Sequence, residues 1–261
     1  MKKRVVCTIL ILLFISGIAI SIIQLYKQYQ EYSEGEDSYT DLDDYVELPE
    51  EEKDTSRSST DEPESGECES EEQEWPTVDF TSLKEINLDI VGWIYIEGTY
   101  INYPVVQGED NQYYLKHLFR GEWNSAGCIF LDSRNTADFS DRHNIIYGHH
   151  MKNGTMFSGL AKYKNQEYYD GHPIALLLTP EQNLEIEIFA GYVASVQDEA
   201  WKVVFSSDTD FTEWLDEAKE RSCFTSEIIP AVTDRILTLS TCSYEFNNAR
   251  FVLLGVIKAQ I

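Results

Sequence analysis

The sequence predicts a mainly β protein, a β-barrel with helical decoration. Three observations predict it. Short runs rich in Val, Ile, Leu, Phe and Tyr recur from Trp93 to the C-terminus. One stretch among them, residues 208 to 222, has clear amphipathic helical spacing. The 187 residues from Trp75 onward hold most of the aromatic residues, which make up 13% of the chain, enough for one packed core.

The chain starts with Met1-Lys2-Lys3-Arg4, read as a short cytoplasmic tail. Val5 to Ile23 follows, 19 residues without a charge. As a helix this run spans about 28 Å, close to the hydrocarbon thickness of a bilayer. A cleaved leader would have a core of about 7–15 residues ending in a small-x-small site. Here the run is longer, and Gln24-Leu25-Tyr26-Lys27 offers no such site. We therefore read residues 5–23 as a retained single-pass transmembrane anchor. Its basic N-terminal flank keeps that end in the cytoplasm and puts the rest outside the cell.

Residues 24–74 read as an acidic, disordered stalk. Within them, 31 to 74 carry 20 Asp and Glu against Lys53 and Arg57 alone. Few large apolar residues accompany these charges, so burial does not offset the entropy of ordering. The whole chain has a formal charge of −26, and residues 75–261 still carry −12. That balance excludes nucleic acid as a main partner, because a phosphate backbone needs a basic face.

The domain is expected at 75–261. Trp75 to Ile90 reads as a helical entry, with Leu83, Ile86 and Ile90 at helical spacing. Residues 92–96 and 100–106 read as a hairpin joined by Glu97-Gly98-Thr99. Asn111 to Leu118 reads as a short helix, 128–131 and 144–147 as short strands, and 157–163 as a helical turn. Residues 174–178, 184–194, 236–239 and 251–257 are further strands. In the helix at 208–222, Phe211, Trp214, Leu215 and Ala218 share one face, and Asp208 is the expected cap.

Of five cysteines, Cys7 lies in the apolar run and Cys68 in the acidic stretch. Cys128, Cys223 and Cys242 have no CxxC spacing, which argues against a zinc site. A Cys128–Cys223 disulfide is compatible with the spacing. Thr238-Leu239-Ser240-Thr241-Cys242 ends a strand, and Arg250 starts the next. If the two form a hairpin, Cys242 and Arg250 become cross-strand neighbours. A guanidinium beside a thiol stabilises negative charge on sulfur and supplies a fixed donor fork. The second cluster is Tyr147-Gly148-His149-His150-Met151. Adjacent side chains on an extended backbone diverge, so only one histidine faces a given site. His117, His143 and His172 belong to no such constellation.

These residues resemble the sortases, most closely class B. Thr238–Cys242 matches the nucleophile motif, Arg250 follows at the class spacing, and Tyr147-Gly148-His149 with Met151 matches the histidine motif. Asp89–Ile94, Ile101–Gln107 and Asn124–Asp132 are similar to class B segments. The helix at 208–222 resembles the insertion that marks the class. The resemblance covers about residues 75–261. It implies a closed barrel of about eight strands with N-terminal helices and a helix inserted before the nucleophile strand.

It also implies a Gram-positive, membrane-held cysteine transpeptidase. Cys242 would attack the carbonyl after Thr in the C-terminal sorting signal of a secreted protein, often Asn-Pro-x-Thr followed by Asn or Gly. A peptidoglycan-precursor amine would then resolve the thioacyl enzyme and anchor the protein to the cell wall. His149 would be the acid/base, Arg250 the oxyanion and substrate donor, and Ser240 and Thr241 substrate-binding groups. His150 is expected to point toward solvent or a neighbouring loop. No metal or organic cofactor is implied. Two other readings stay open: a pilin-polymerising class B enzyme using a Lys amine, and an inactive membrane-tethered binding module. A simple cysteine peptidase would be told apart by amine capture.

Overall fold

The computed structural model describes residues 2–49 and 75–259. The chain opens with α1, Lys2–Thr40, one helix of 39 residues. It includes a segment long and apolar enough to cross a membrane. The large apolar side chains from Ile9 to Ile23 are exposed, and nothing among the described residues covers them.

The second half of α1 corrects the expected stalk. Residues 24–40 continue the helix, and its end docks on the domain. Tyr39 and Leu42 are buried in the main core. The Tyr39 hydroxyl donates to the Gly127 carbonyl and lies 3.2 Å from the Cys128 sulfur. Asn124 Nδ2 donates to the Glu31 carbonyl, and the Ser125 amide donates to the Glu31 carboxylate. Gly35 permits this approach, since a Cβ there would meet Asn124 Oδ1 at 3.3 Å and the Ala126 methyl at 3.4 Å. Beyond α1, β1 (Val46–Glu47) pairs antiparallel with β2 (Thr77–Val78). The folded unit therefore recruits residues well before Trp75. A few apolar side chains spaced among the acids are enough to dock the helix, and an average over the segment hides them. The remainder of the expected stalk, 50–74, lies outside the described residues, as does Cys68.

The helical entry is α2, Phe80–Ile86, capped by Asp79, whose carboxylate accepts from the Ser82 amide at 3.0 Å. The barrel strands are β3 (Ile90–Tyr95), β4 (Asn102–Val106), β5 (Ile129–Leu131), β6 (His143–Tyr147), β7 (Ile174–Leu178), β8 (Asn183–Ser195), β9 (Arg235–Cys242) and β10 (Ala249–Ala259). They close in the order β10-β8-β7-β3-β4-β5-β6-β9. This is the expected eight-stranded barrel, and closure leaves its sheet no free edge. The β4–β5 and β6–β9 pairs are parallel and the others antiparallel.

Two expected helices change form. Asn111–Leu118 keeps only a 3-10 turn at Tyr113–Leu115, and 157–164 is a longer 3-10 segment. A short helix not read from the sequence, α3 (Gln166–Gly171), follows, capped by Asn165. The amphipathic helix is α4, Asp208–Glu220. Its cap is Ser207, not Asp208: the Ser207 backbone is extended, and its hydroxyl accepts from the Asp210 amide at 3.1 Å. Phe211, Trp214, Leu215 and Ala218 are buried as expected, against Val252, Leu254 and Val256 of β10.

Candidate active site

The site grows from one end of the β6–β9–β10 surface. β9 and β10 pair antiparallel, with Cys242 directly opposite Arg250. Side chains alternate along a strand. Ile236, Thr238, Ser240 and Cys242 therefore share the face of Arg250, Val252 and Leu254. Helix α4 covers the lower part of this face and leaves the last pair at the strand ends. Cys242 is a free, partly exposed thiol. Arg250 is also partly exposed, and its Nη1 donates to the Ala249 carbonyl at 2.9 Å.

β6 runs parallel to β9 with Tyr147 opposite Ser240. The next amide, Gly148, donates to the Ser240 carbonyl at 3.0 Å, so the chain leaving β6 stays beside the end of β9. Only glycine fits there. A Cβ at Gly148 would lie 2.4 Å from Ile129 Cδ1 and 2.6 Å from the Phe157 ring. His149 comes next, two residues past the end of β6. Its Nε2 bonds to the Leu115 carbonyl at 2.8 Å. His150 diverges, as expected for neighbours on an extended chain, but it does not leave the site. Its Nδ1 lies 3.1 Å from the Cys242 carbonyl oxygen, and its ring meets Tyr244 edge-on at 5.2 Å. This corrects the expectation of a residue turned only to solvent or a neighbouring loop: the Cys242 backbone itself is its partner.

The two proposed substrate groups separate. Ser240 lies on the nucleophile's face, but it is buried, and its hydroxyl accepts from Trp201 Nε1 at 3.1 Å. Thr241 is a correction. Strand alternation turns it to the opposite face, shared with Leu239 and opposite Phe251, where it is buried. Its hydroxyl has no hydrogen-bond partner among the described residues.

Several neighbours were not read from the sequence. Asp132 is buried beside the site. Arg134 grips it through Nε at 2.9 Å and Nη2 at 2.7 Å, and the Tyr147 hydroxyl donates to it at 2.8 Å. Burial alone would raise the Asp132 pKa, but these donors hold it at about 2. The same Arg134 reaches the Trp201 carbonyl at 3.2 Å. On the other side, Lys164 pairs with Glu245, and the Ser243 hydroxyl donates to the same carboxylate. This ties the 3-10 segment after the histidines to the β9–β10 connection.

The other cysteines are not nucleophile candidates by geometry. Cys128 is fully buried, and burial pushes its thiol up to about 12. Cys223 is exposed on the connection between α4 and β9, with its thiol also raised by partial burial. Both are free, so the compatible disulfide is absent. His143 is buried between the Lys202 carbonyl and the Thr238 hydroxyl, each at 2.7 Å, and burial lowers it to about 4. Among the described residues no group of three or more His, Cys, Asp or Glu is arranged to hold a metal.

Comparison with known proteins agrees with this geometry. The Sortase domain family model matches residues 94–258. Sortase B of Listeria monocytogenes is 41% identical over 175 residues, 66% of this chain and 71% of the relative. The Staphylococcus aureus sortase B–substrate complex superposes with a TM-score of 0.67 and 37% identity, covering 70% of this chain and 85% of that one. A sortase B complexed with triglycine gives 0.66 and 38%, over 70% and 86%. With a closed barrel, a strand-end cysteine opposite an arginine and a histidine after the neighbouring strand, the chain belongs to the sortase family of cysteine transpeptidases, in its class B.

Proposed function

We propose that the enzyme is held in the cell membrane by α1, N-terminus inside and barrel outside, and anchors secreted proteins to the cell wall. Cys242 attacks the carbonyl carbon after Thr in a C-terminal sorting signal. The carbon–sulfur bond forms as the peptide C–N bond breaks. His149 takes the Cys242 thiol proton and passes it to the leaving amine, then takes one from the incoming amine, which displaces the sulfur and forms a new amide, and returns it to the freed sulfur. The Leu115 carbonyl holds Nε2–H of His149, which leaves Nδ1 to exchange that proton. Arg250, opposite the nucleophile, supplies donors to the developing oxyanion. The acceptor is an amine of a peptidoglycan precursor.

The observation that carries this reading is the register of Cys242 against Arg250, with Tyr147 and Gly148 leading His149 to the same strand end. The relatives solved with substrate and with triglycine support a peptide acyl donor and an amine acceptor. The test is mass spectrometry of the full chain with a panel of sorting-signal peptides and amines. We expect a thioacyl adduct on Cys242 that a wall-type amine converts to a new amide product. Cys242→Ala should give no adduct, while Cys223→Ala keeps it. Release by hydrolysis alone, with every amine tried, would make the enzyme a peptidase. Capture only by a pilin Lys peptide would replace the wall acceptor.

A further inference from the structure

A cavity of about 550 Å³ lies between the second half of α1, the β3–β4 hairpin and the loop at 151–156. Cys242, Arg250 and His149 do not line it. Its walls include four tyrosines, Tyr32, Tyr39, Tyr100 and Tyr103, and two carboxylates, Glu36 and Asp43. No Lys, Arg or His lines it among the described residues.

The walls are fixed on one side and open on the other. Tyr39 and Tyr103 are buried and meet edge-to-face at 5.4 Å. The Tyr103 hydroxyl accepts from the Met156 amide at 3.0 Å, and Asp43 accepts from Asn102 Nδ2 at 3.2 Å. Tyr100 stands 80% exposed at the mouth. Its ring already attracts one ammonium, that of Lys162, 6.0 Å from the centroid. Burial raises the Tyr103 pKa, and the charges of Asp43 and Glu36 raise it further. The cavity therefore has a negative field, aromatic faces and no internal counter-charge. Aromatic faces beside carboxylates favour an organic cation over an anion or a neutral chain.

The cavity also touches the histidine loop. Met151 and Met156 line it, and Met156 pairs with His150 in a β-bridge. The Phe157 amide donates to the His149 carbonyl at 2.9 Å. The loop thus runs from the two histidines to the cavity wall and back.

We propose that this cavity is a second ligand site, distinct from the acyl site at Cys242, that takes the ammonium group of a short peptide between Glu36, Asp43 and the Tyr32 and Tyr100 rings. Two sources share that chemistry, a peptide α-ammonium and a lysyl-type side-chain ammonium. The binding claim stands apart from the transpeptidase reading, which supplies only a reason for an amine-bearing peptide to be present.

The test is calorimetry on the full chain in lipid nanodiscs, in a Cys242→Ala background so that no chemistry occurs. The probes are acetyl-Gly-Lys-Gly-amide, its Nε-acetylated form and triglycine. We expect saturable binding of the lysyl peptide, at least tenfold weaker after Nε-acetylation. Tighter binding of triglycine would assign the site to an α-ammonium instead. Glu36→Gln with Asp43→Asn should weaken the preferred probe at least tenfold at an unchanged melting temperature. Should that pair fail to fold, Tyr100→Ala at the exposed mouth should weaken it at least threefold. Binding that ignores the probe's charge, or affinities equal to the parent in the folded variants, would overturn the proposal. Adduct formation on Cys242 by a sorting peptide without amine is measured separately, so failure of either reading is visible by itself.

Discussion

His150 donates from Nδ1 to the carbonyl oxygen of Cys242 at 3.1 Å, while His149 donates from Nε2 to the carbonyl of Leu115 at 2.8 Å. A carbonyl only accepts, so each of these nitrogens carries a hydrogen. The two adjacent rings therefore do different work. His150 braces the backbone of the nucleophile, and Tyr244 closes over it. His149, with Nε2 engaged, has Nδ1 left over for the proton exchange of the proposed mechanism. His149→Ala is expected to lose about 10²–10⁴ in transpeptidation rate, the usual worth of a general acid–base, and about 1 kcal/mol of stability with its hydrogen bond to the Leu115 carbonyl. His150→Ala is expected to keep most of the rate and to lose about 1 kcal/mol of stability with its hydrogen bond. Product formation from one sorting peptide, with melting curves alongside, checks both. A dead His150→Ala beside an active His149→Ala would exchange the roles.

Arg250→Lys is expected to behave as a severe change. Lysine keeps the positive charge opposite Cys242 but loses the planar fork that offers two parallel donors. Loss of a contact made chiefly in the transition state costs about 3 kcal/mol, roughly 100-fold in rate. The expected signature is a fall in kcat with KM for the sorting peptide little changed. Parent-like turnover would make Arg250 a bystander.

Leu42 is fully buried in the core, two residues past the end of α1. Leu42→Ala is expected to cost about 2–5 kcal/mol through lost burial and the cavity left behind. Denaturant unfolding of the full chain in detergent measures it. Truncation at Trp75 should also destabilise the barrel, because it removes Tyr39 and Leu42 and the partner strand of Thr77–Val78. A truncated domain as stable as the full chain would show that α1 merely rests on the surface.

That segment also shows what a sequence makes legible. The strand runs and the Cys242–Arg250 pairing could be read because period-two apolar patterning and a short polar connection are local properties. α4 was legible for the same reason, with its apolar residues on one helical face. The docking of Tyr39 and Leu42 was not, because two side chains in an acidic stretch carry no periodic signal. The hydroxyl partners of Tyr39, Gly127 and Cys128, are 88 and 89 residues away in the chain. The roles of Ser240 and Thr241 needed the strand's facing. Adjacent residues sit on opposite sides, so one motif could not assign both to the substrate. Trp201, Asp132 and Glu245 reach the site only through barrel closure and loop return, which local pattern does not encode.

Asp132 gives the pH prediction. Its carboxyl is held at about 2, with burial opposed by Arg134 and Tyr147, against about 3.9 for an unfolded Asp. A depressed folded pKa means stability that is complete above about pH 4 and lost as pH falls from there through about 2. The difference corresponds to about 2.6 kcal/mol. Unfolding free energy of the parent should drop across that window, and the drop should be smaller in Asp132→Asn. The variant should also slow catalysis, because Tyr147 loses its anionic acceptor two residues before His149. Identical acid sensitivity of the two proteins would remove Asp132 from the account.

The Lys164–Glu245 pair is expected to matter more to rate than to stability. Both side chains are about a third or more exposed, so the ion pair itself is screened and worth at most about 1 kcal/mol. Its position gives it a different use. Glu245 lies in the short connection between Cys242 and Arg250, where Ser243 donates to it, and Tyr244 beside it packs on His150. Lys164 fixes that connection from the 3-10 segment at 157–164. Releasing it frees the loop without emptying the core, and in the proposed mechanism both ends of the loop carry the chemistry. Glu245→Gln and Lys164→Met should each lower kcat by roughly fivefold, about 1 kcal/mol of barrel-end positioning, with the melting temperature nearly unchanged. Lys164→Arg should restore most of the rate, because it renews the pair. The double variant should be no slower than either single, since each removes the same contact. Additive losses, or losses that track the melting temperature, would show that the two residues act apart and that the loop holds its shape without them.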